Sequence, residues 1–397
     1  MNLRPTRARG TVRHLTTGAV LSALALSTLT ACGGDSGSAE ASGYSGEIGA
    51  VDLSDVCPAT VVVQTDWNPE AEHGHIYELL GPDPKIDAGA KKASGPLFSS
   101  GEYTGVDVEI RVGGPAIGFQ AVSAQMYTDP DITLGFVDAD QAIQVSSSNP
   151  VTSVFAPFEI NPMMIMWDPE TYPDVKEIAD LKEKEARVLT FETDTYWRYL
   201  TGAGILDEGQ IDGSYDGSTS SFVADQGKSA QQGFVSSELY VYENDLPEWN
   251  KPIAYQLVHD AGYPSYKSAV SVRSGEVEEL TPCLEKLVPV LQQGVVDYLA
   301  DPQPTTDLML DMVDQYSTGW VYSQEQADYG LKTIRELGLV SDGTNGTIGD
   351  FDPARWERLI ELNRPIFAEA GIEIAEPMTP ETVMTNEFID PSISLGY

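Results

Sequence analysis

The sequence contains few of the residues that support metal, redox or nucleic-acid chemistry. It has three cysteines and four histidines in 397 residues, and no two cysteines are spaced as a CxxC pair. These counts exclude zinc ribbons, iron–sulfur clusters and c-type haem attachment. Basic residues are also scarce, with 23 lysines and arginines against 61 acidic residues and a formal net charge of −38. Because such a surface repels phosphate backbones, we expect no nucleic-acid partner.

The sequence also lacks a run of the ~20 apolar residues that a membrane-spanning helix needs. A shorter apolar run, residues 19–29, follows four arginines and no acidic residue, which predicts an export signal. The run ends in Leu29-Thr30-Ala31-Cys32, which resembles the lipobox of bacterial lipoproteins. We therefore expect cleavage after residue 31, lipidation of Cys32 and an extracytoplasmic protein anchored to the cell membrane. The alternative is an ordinary secretory signal that contains a cysteine by chance.

The segment after Cys32 is predicted to be a flexible tether over residues 32–57. Up to residue 50 it is rich in glycine, serine, alanine and glutamate and has almost no large apolar side chains. With Cys32 lipidated, Cys57 and Cys283 remain as an even pair in an oxidising compartment. A disulfide requires Cα atoms within ~7 Å of each other, a distance that sequence does not give, so their pairing stays open at this point.

The rest of the chain alternates segments typical of strands with amphipathic segments typical of helices, and this predicts an α/β fold. Its length exceeds the ~250 to 300 residues that a single core usually organises, so we expect two domains. Strand patterns stop after about residue 302, and the remainder is predicted to be helical. The predicted strands are residues 59–65, 106–112, 132–137, 151–158, 162–167, 186–191 and 234–242, and the predicted helices are residues 175–186, 281–299, 308–321, 324–337 and 353–370.

The sequence contains no complete nucleotide-binding or hydrolase motif. Gly227-Lys228-Ser229 has the end of a P-loop, but Phe222 stands where the first glycine belongs. No GxSxG elbow, HExxH helix or GxGxxG turn occurs. An exported, two-domain α/β protein without catalytic motifs is typical of the receptor of an ABC importer, whose ligand lies between two lobes.

One stretch directly after the first predicted strand resembles a known family. Residues 65–77 (TDWNPEAEHGHIY) resemble the D/N-W-x-P-x-x-x-H signature of the thiamine-pyrimidine-synthase-like branch of periplasmic-binding-protein-like proteins. Weaker matches are residues 113–120 (GGPAIGFQ), 162–169 (PMMIMWDP), 232–234 (QGF) with Glu238, and 385–388 (TNEF). The fungal synthases of this branch have a cysteine-rich motif that this chain lacks, so we do not expect synthase activity.

The resemblance implies a type II binding-protein fold, in which two α/β lobes are joined by two crossover strands. It predicts lobe I over residues 58–150 and 256–397, with a helical C-terminal extension, and lobe II over residues 151–255. The same resemblance implies a binding site between the lobes.

Several residues of this predicted site are expected at the carboxyl ends of strands, where α/β proteins bind ligands. Asp66 and Trp67 would supply a carboxylate and a stacking ring, although Trp67 could instead be core packing. Glu192 matches by position the acid that family members use against an exocyclic amine; its alternative role is that of a carboxylate at a helix N-terminus. The complete set of predicted ligand-binding residues is Asp66, Trp67, His73, Phe119, Gln120, Glu192, Thr193, Tyr196, Glu238 and Tyr240.

The two histidines of the signature do not predict a metal site. If the segment is helical, His73 and His75 point roughly 200° apart, because an α-helix has 3.6 residues per turn. They cannot both coordinate one ion in that geometry. We expect no metal and no cofactor, and we interpret His73 as a hydrogen-bonding group for the ligand or as a local cap.

Together these patterns predict a monomeric, lipid-anchored substrate-binding protein of an ABC importer, with a permease and an ATPase as partners. The predicted ligand is a pyrimidine precursor of thiamine. Riboflavin-like, sulfonate and other small organic ligands are the alternatives within this class. A pyrimidine-processing enzyme and a surface or signalling receptor with the same fold are the alternatives outside it.

Overall fold

The computed structural model describes residues 43–396. The predicted signal, the predicted lipidation at Cys32 and the first part of the predicted tether lie outside the described residues. The strands are β1 (Thr60–Gln64), β2 (Lys85–Asp87), β3 (Lys92–Ser99), β4 (Glu102–Arg111), β5 (Leu134–Val137), β6 (Val151–Phe155), β7 (Met163–Trp167), β8 (Val188–Leu189), β9 (Ile211–Asp212), β10 (Ala230–Phe234), β11 (Ala254–Leu257) and β12 (Ala269–Arg273). The α-helices are α1 (Gly74–Tyr77), α2 (Val122–Thr128), α3 (Ala139–Gln144), α4 (Asp180–Glu183), α5 (Tyr196–Gly202), α6 (Ser220–Ala224), α7 (Glu238–Tyr240), α8 (Val277–Ala300), α9 (Gln303–Tyr316), α10 (Gln324–Glu336) and α11 (Pro353–Glu369).

These strands form two mixed sheets that share one topology. The larger sheet has the order β2-β3-β4-β1-β5-β12-β6, and the smaller has the order β11-β7-β10-β8-β9. In the larger sheet β4, β1 and β5 are parallel and β12 lies antiparallel between β5 and β6. In the smaller sheet β9, β8 and β10 are parallel and β7 lies antiparallel between β10 and β11. The inserted antiparallel strand is in each case the first strand after a crossing between the sheets.

The chain crosses between the sheets twice, at residues 156–162 and 258–268. The larger sheet forms lobe I with the described residues before 156 and after 268, and the smaller sheet forms lobe II over residues 163–257. The first boundary differs from the predicted one near residue 150, because β6 pairs with β12 in the larger sheet. Strands β6 and β7 are both apolar and buried on both faces, so their sequences do not show where one sheet ends and the next begins.

The strand predicted at residues 234–242 is wrong. Strand β10 ends at Phe234, and the chain continues into α7 and a π turn, Val241–Asp245. The polar side chains of Gln231 and Gln232 are buried in β10, and this hides the strand from a hydrophobicity pattern. The helix predicted at 175–186 is likewise shortened to α4, whereas the predicted C-terminal helices correspond to α8, α9, α10 and α11.

Arg355, at the start of α11, connects both crossings. Its Nε donates to the carbonyl of Pro264 at 2.7 Å, and its Nη1 donates to the carbonyl of Glu159 at 2.5 Å. The guanidinium also lies 3.6 Å from the centroid of the Tyr266 ring, a cation–π contact. One side chain therefore holds the two crossing segments beside each other.

The end of the predicted tether is part of lobe I. Leu53 is fully buried, and its N–H donates to the carbonyl of Thr104 in β4 at 2.8 Å. Cys57 forms a disulfide with Cys283 in α8, with their Cα atoms 4.7 Å apart. The prediction of a flexible tether over residues 32–57 therefore extends too far, because one buried leucine and one disulfide suffice to fix a segment of polar composition. Among residues 43–396, no helix is both long and apolar enough to cross a membrane.

We expect reduction of this disulfide to destabilise lobe I. The bond joins residues 226 positions apart, and for a loop of that length the chain-entropy model gives a stabilisation of about 5 kcal/mol. Replacing both Cys57 and Cys283 with Ser should lower the free energy of unfolding by about 2 to 5 kcal/mol in denaturant titrations. Dithiothreitol should have the same effect on the parent protein and none on the double variant. Equal stability of the oxidised parent and the double variant would contradict this account.

Candidate ligand-binding cleft

A cleft of about 910 Å³, including its solvent-open part, lies between the two lobes. Both lobes contribute side chains at the ends of their strands and in the loops that follow. The wall consists of Asp66, Trp67, Glu70, Gly114, Phe119, Gln120, Ala121, Val122, Gln141, Met163, Phe191, Thr193, Asp194, Tyr215, Gly217, Gln232, Gly233, Phe234, Glu238 and Lys267. The lobes also touch beside the cleft, where Gln326 Nε2 of lobe I donates to Ser237 Oγ of lobe II at 2.9 Å.

Trp67 is the central aromatic residue of this wall. Its ring centroid lies 5.6 Å from that of Phe191 in lobe II and 6.1 Å from that of Phe119 in lobe I. The indole packs on the backbone of Gly114, where a Cβ atom would come within 2.3 Å of Trp67 Cε3. Gly114 also has a φ of +53°, so a side chain there would be both strained and obstructed. Trp67 is half-buried, so the structure places it on the cleft wall rather than in the core.

Phe119 has an uncommon backbone conformation beside Trp67. Its φ is +59°, in the left-handed region that bulky residues rarely adopt and that costs about 1 to 3 kcal/mol. The N–H of Phe119 donates to the carbonyl of Gly114 at 2.9 Å, which holds the turn. Although its ring lies near Trp67 and Phe191, 37% of the residue is exposed. Strain and exposure at an aromatic residue of a cleft are typical of binding sites.

An ion-pair network lies at the carboxyl ends of β1 and β5. Lys267 Nζ is 2.9 Å from Asp66 Oδ2 and 3.1 Å from Asp138 Oδ2. Burial opposes charge on these groups, but Asp138 and Asp66 raise the pKa of Lys267, and Lys267 and His73 lower the pKa of Asp66. Among the described residues of the cleft wall, Lys267 is the one basic side chain, and two aspartates neutralise it.

His73 lies behind Asp66 rather than on the cleft wall. Its Nε2 is 2.9 Å from Asp66 Oδ1, and its Nδ1 is 3.0 Å from the carbonyl oxygen of Asn68. The ring is buried, with its centroid 5.5 Å from that of Phe136. His73 therefore orients the Asp66 carboxylate and the turn that contains Trp67.

Three other carboxylates of the wall form no ion pair within 4 Å among the described residues, although Lys267 opposes the rise in pKa of Asp194 and Glu70. Burial raises the pKa of Asp194 to about 7 and the pKa of Glu238 to about 7. Burial, and then repulsion by Glu72 and Glu238, raises the pKa of Glu70 well above its ordinary value. Each of the three therefore disfavours its charged form in the empty cleft.

The structure brings six of the ten sequence-predicted site residues together. The residues that line the cleft are Asp66, Trp67, Phe119, Gln120, Thr193 and Glu238. The other four lie elsewhere. His73 lies behind Asp66, and Glu192 is exposed on the surface. Tyr196 is buried, and its hydroxyl donates to Gln232 Oε1 at 2.8 Å, whereas the ring of Tyr240 lies 5.6 Å from that of Tyr329. The ligand-binding roles of all ten stay predictions.

Sequence reasoning missed several polar residues of the wall, among them Glu70, Asp194, Gln232 and Lys267. Glu70 lies inside the signature, and Gln232 lies inside a quoted match, so a role could have been read from position. Phe191, Thr193 and Asp194 of the loop between β8 and α5 line the cleft, whereas Glu192 of the same loop is exposed. Lys267 precedes β12, a strand that the sequence pattern did not predict. No feature of the sequence therefore marked Lys267 as a residue of the site.

Comparison of the sequence with protein-family models and with curated proteins gives no match. Solved structures do resemble the chain. A protein from Bordetella bronchiseptica RB50 is 12% identical, aligns over 83% of this chain and 96% of that chain, and has a TM-score of 0.52. The periplasmic aliphatic sulphonate binding protein of Escherichia coli is 12% identical over 81% of this chain and 94% of that chain, with a TM-score of 0.49. A Candida albicans gene product with the generic periplasmic binding protein fold is 10% identical over 83% and 97%, with a TM-score of 0.45.

Among the three structures described, the Bordetella bronchiseptica protein matches with a TM-score above 0.5, and the chain shares its fold. The shared strand order of its two sheets and their two crossings are those of the type II arrangement, so the predicted fold class is confirmed. Identities near one residue in eight show a fold and no more. The finer resemblance to the thiamine-pyrimidine-synthase-like branch stays a prediction.

We expect the empty protein to lose stability as the pH rises from about 4 to about 7. The pKa values of Asp194 and Glu238 rise from 3.8 and 4.5 in the unfolded chain to about 7 in the folded one. The folded state therefore holds more protons across this window, so the free energy of unfolding decreases with rising pH. The groups that face these two carboxyls are Lys267, Asp138 and Asp140 for Asp194, and Glu72, Glu70 and Tyr215 for Glu238.

Denaturant titrations from pH 4.5 to pH 7.5 measure this slope. The variants Asp194→Asn and Glu238→Gln should each reduce it, whereas Glu192→Gln, at an exposed position, should leave it unchanged. Asp140, whose pKa burial raises to about 6, should leave a residual slope in every variant. A slope that neither cleft variant alters would show that these carboxyls titrate normally.

Proposed function

We propose that the chain is an extracytoplasmic, lipid-anchored substrate-binding protein of an ABC importer, and that its ligand is a flat nitrogen heterocycle. A pyrimidine precursor of thiamine is the best candidate. The observation that supports this proposal is a cleft with a stacking ring from lobe I and unpaired carboxylates from both lobes. Proteins with this fold bind ligands between their lobes, so permease and ATPase subunits are the proposed partners of a monomeric receptor.

The chemistry of the cleft favours a ligand that donates hydrogen bonds. Trp67 of lobe I and Phe191 of lobe II contact each other, with ring centroids 5.6 Å apart, and together they form an apolar surface against which a planar ring can lie. Asp194 accepts from Gln232 Nε2 at 2.9 Å through Oδ2, which leaves its other oxygen to accept from an exocyclic amine. This is the role that the sequence assigned to Glu192, and the structure places Asp194 on the cleft wall instead.

The same chemistry disfavours a sulfonate. An anionic ligand needs donors or positive charge, and the basic side chain of the described wall, Lys267, is already held by Asp66 and Asp138. The unpaired carboxylates Glu70, Asp194 and Glu238 would repel the ligand. We therefore place sulfonates below aminopyrimidines among the ligands of this fold.

Lobe closure around the ligand is part of the proposal. The hydroxyl of Ser236 in lobe II donates to the carboxylate of Glu72 in lobe I, and Thr195 of lobe II donates to Gln144 Oε1 of lobe I at 2.8 Å. These contacts lie on elements that also line the cleft. A ligand that touches both walls adds to them and stabilises the arrangement in which the lobes meet.

Calorimetric titration with 4-amino-5-hydroxymethyl-2-methylpyrimidine, riboflavin and methanesulfonate tests the ligand class. We expect the aminopyrimidine to bind. Trp67→Ala should then weaken binding by about thirtyfold, because a stacked aromatic in a desolvated site contributes about 2 kcal/mol. Asp194→Asn should weaken it by about 1 to 3 kcal/mol, because the exocyclic amine loses its acceptor.

Glu192→Gln is the matched control, since it removes a carboxylate two residues away that does not line the cleft. The Glu192→Gln variant should bind the aminopyrimidine with the same affinity as the parent protein. Binding of methanesulfonate in place of the pyrimidine would refute the ligand class and leave the receptor proposal standing. A large decrease in the melting temperature of empty Trp67→Ala protein would place Trp67 in the core.

Membrane anchoring through Cys32 is tested separately in the expressing cell. Because the lipid is attached to the cysteine sulfur, Cys32→Ser should appear in the medium or remain as the uncleaved precursor, whereas Ser36→Ala should stay with the membrane. Fractionation followed by intact-mass measurement distinguishes these forms. A processed Cys32→Ser protein that stays with the membrane would refute the anchor.

A further inference from the structure

Glu70 is a buried carboxylate that faces the cleft and has an unsatisfied oxygen. It lies in the turn after β1, is 2% exposed and lines the cleft wall. Its Oε1 makes no hydrogen bond with any described group. Burying a carboxylate oxygen without a donor or cation is unfavourable, because the oxygen loses its water and gains nothing in return. Glu70 Oε1 therefore needs a hydrogen-bond donor or a cation that the described residues do not provide.

Glu238 approaches the same region from lobe II. Its Oε2 accepts from the N–H of Phe234 at 2.6 Å, which fixes the carboxylate at the end of β10. The side chain packs on Gly233, where a Cβ atom would come within 2.8 Å of Glu238 Cγ. Glu70 and Glu238 line the same cleft from opposite lobes, and repulsion by Glu238 contributes to the raised pKa of Glu70.

The neighbouring groups do not compensate this charge. Glu72, the next acid along the turn, accepts from Ser236 through one oxygen, and its other oxygen is also buried and unpaired. Lys267 is held by Asp66 and Asp138. Aromatic side chains complete this part of the wall, with Tyr215 and Phe234 in lobe II and Trp67 in lobe I. Aromatic faces attract cations, and carboxylates attract them more strongly.

We infer that the ligand is an organic cation, and that Glu70 and Glu238 hold its ammonium or amidinium group between the two lobes. This inference deepens the proposed function and rests on it for the location of the ligand in the cleft. The positive group lies between carboxylates from opposite lobes, and the remainder of the ligand lies against Trp67 and Phe191. The class excludes sulfonates, carboxylates and neutral flavins.

The inference also gives lobe closure a physical cause. Bringing Glu70 and Glu238 together in an empty cleft requires proton uptake or the burial of two like charges. A bound cation removes that penalty, because it pairs with one carboxylate from each lobe. The cation therefore stabilises the arrangement in which the lobes meet, whereas a neutral ligand of the same shape does not.

Two matched pairs of compounds test the charge requirement by calorimetry at pH 7.5. The first pair is 4-amino-5-aminomethyl-2-methylpyrimidine, a cation at this pH, and its neutral 5-hydroxymethyl counterpart. The second pair, benzylamine and benzyl alcohol, lacks the pyrimidine. In at least one pair we expect the cation to bind at least about tenfold more tightly than the neutral compound, as a charge-assisted contact implies.

Variants of the two carboxylates test the location. Glu70→Gln and Glu238→Gln should each weaken binding of the cation by about tenfold or more and change binding of its neutral partner by less than about threefold. Glu336→Gln on the exposed face of α10 removes one negative charge far from the cleft wall and should change neither. Empty Glu70→Gln protein should melt no lower than the parent, because the amide has the size of the carboxyl and replaces a buried group whose Oε1 has no hydrogen-bond partner among the described residues.

The outcomes separate this inference from the proposed function. Tight binding of benzylamine without either pyrimidine refutes the pyrimidine assignment and supports the cation site. Equal binding of the cation and the neutral compound in both pairs, or equal losses for both members of a pair in the Gln variants, refutes the cation site and leaves the receptor proposal standing. Failure of both cations to bind also refutes it. The comparison of compounds uses the parent protein, so it decides the question even where a variant fails to fold.

Discussion

The pairing of Lys267 with Asp66 and Asp138 fixes the geometry on which the cleft depends. The two aspartates end β1 and β5, neighbouring parallel strands of lobe I, and the lysine lies at the end of the second crossing. This pairing attaches the crossing to the edge of the sheet at the base of the cleft. It also neutralises the basic group of the described wall, so the remaining carboxylates determine the local charge. Position and electrostatics of the site therefore follow from one interaction.

The charge of the cleft agrees in sign with the charge of the whole chain. With 61 acidic and 23 basic residues, the surface attracts cations over long distances and repels anions. Long-range attraction affects how often a ligand arrives, whereas Glu70 and Glu238 would affect how long it stays. The overall charge is screened by salt within about a Debye length, but carboxylates buried between the lobes are screened much less.

Sequence patterns predicted the parts of the fold in which burial and periodicity agree. Strand β1 is a β-branched run, and α8 repeats its apolar residues at helical spacing, so both were found. Strand β10 was misplaced because two of its buried residues are glutamines, whose side-chain oxygens accept hydrogen bonds from other segments of the chain. Gln232, for example, accepts from the backbone N–H of Phe191 at 2.6 Å. A pattern of hydrophobicity cannot register such pairing.

Only part of the site could be predicted from the sequence, because the rest depends on tertiary structure. Asp66 and Trp67 follow a clear strand within a recognisable signature, and both line the cleft. Which side chains of a loop face the cleft depends on the tertiary structure, and Asp194 rather than Glu192 lines the wall. The role of Glu70 could not be predicted from the sequence for a different reason. Whether its buried oxygen has a hydrogen-bond partner depends on the surrounding structure and not on the residue type.

The two crossings convert the chemistry of the cleft into a relation between the lobes. Arg355 holds both crossing segments from α11, and Lys267 holds the second one at the base of the cleft. Rotation about segments fixed at these two places changes chiefly the separation of the cleft walls. Because Glu70 and Glu238 lie on opposite walls, their repulsion or their shared attraction to a cation acts directly on that separation. If a cation binds between the two carboxylates, as we propose, its pairing with both would favour the arrangement in which the lobes meet.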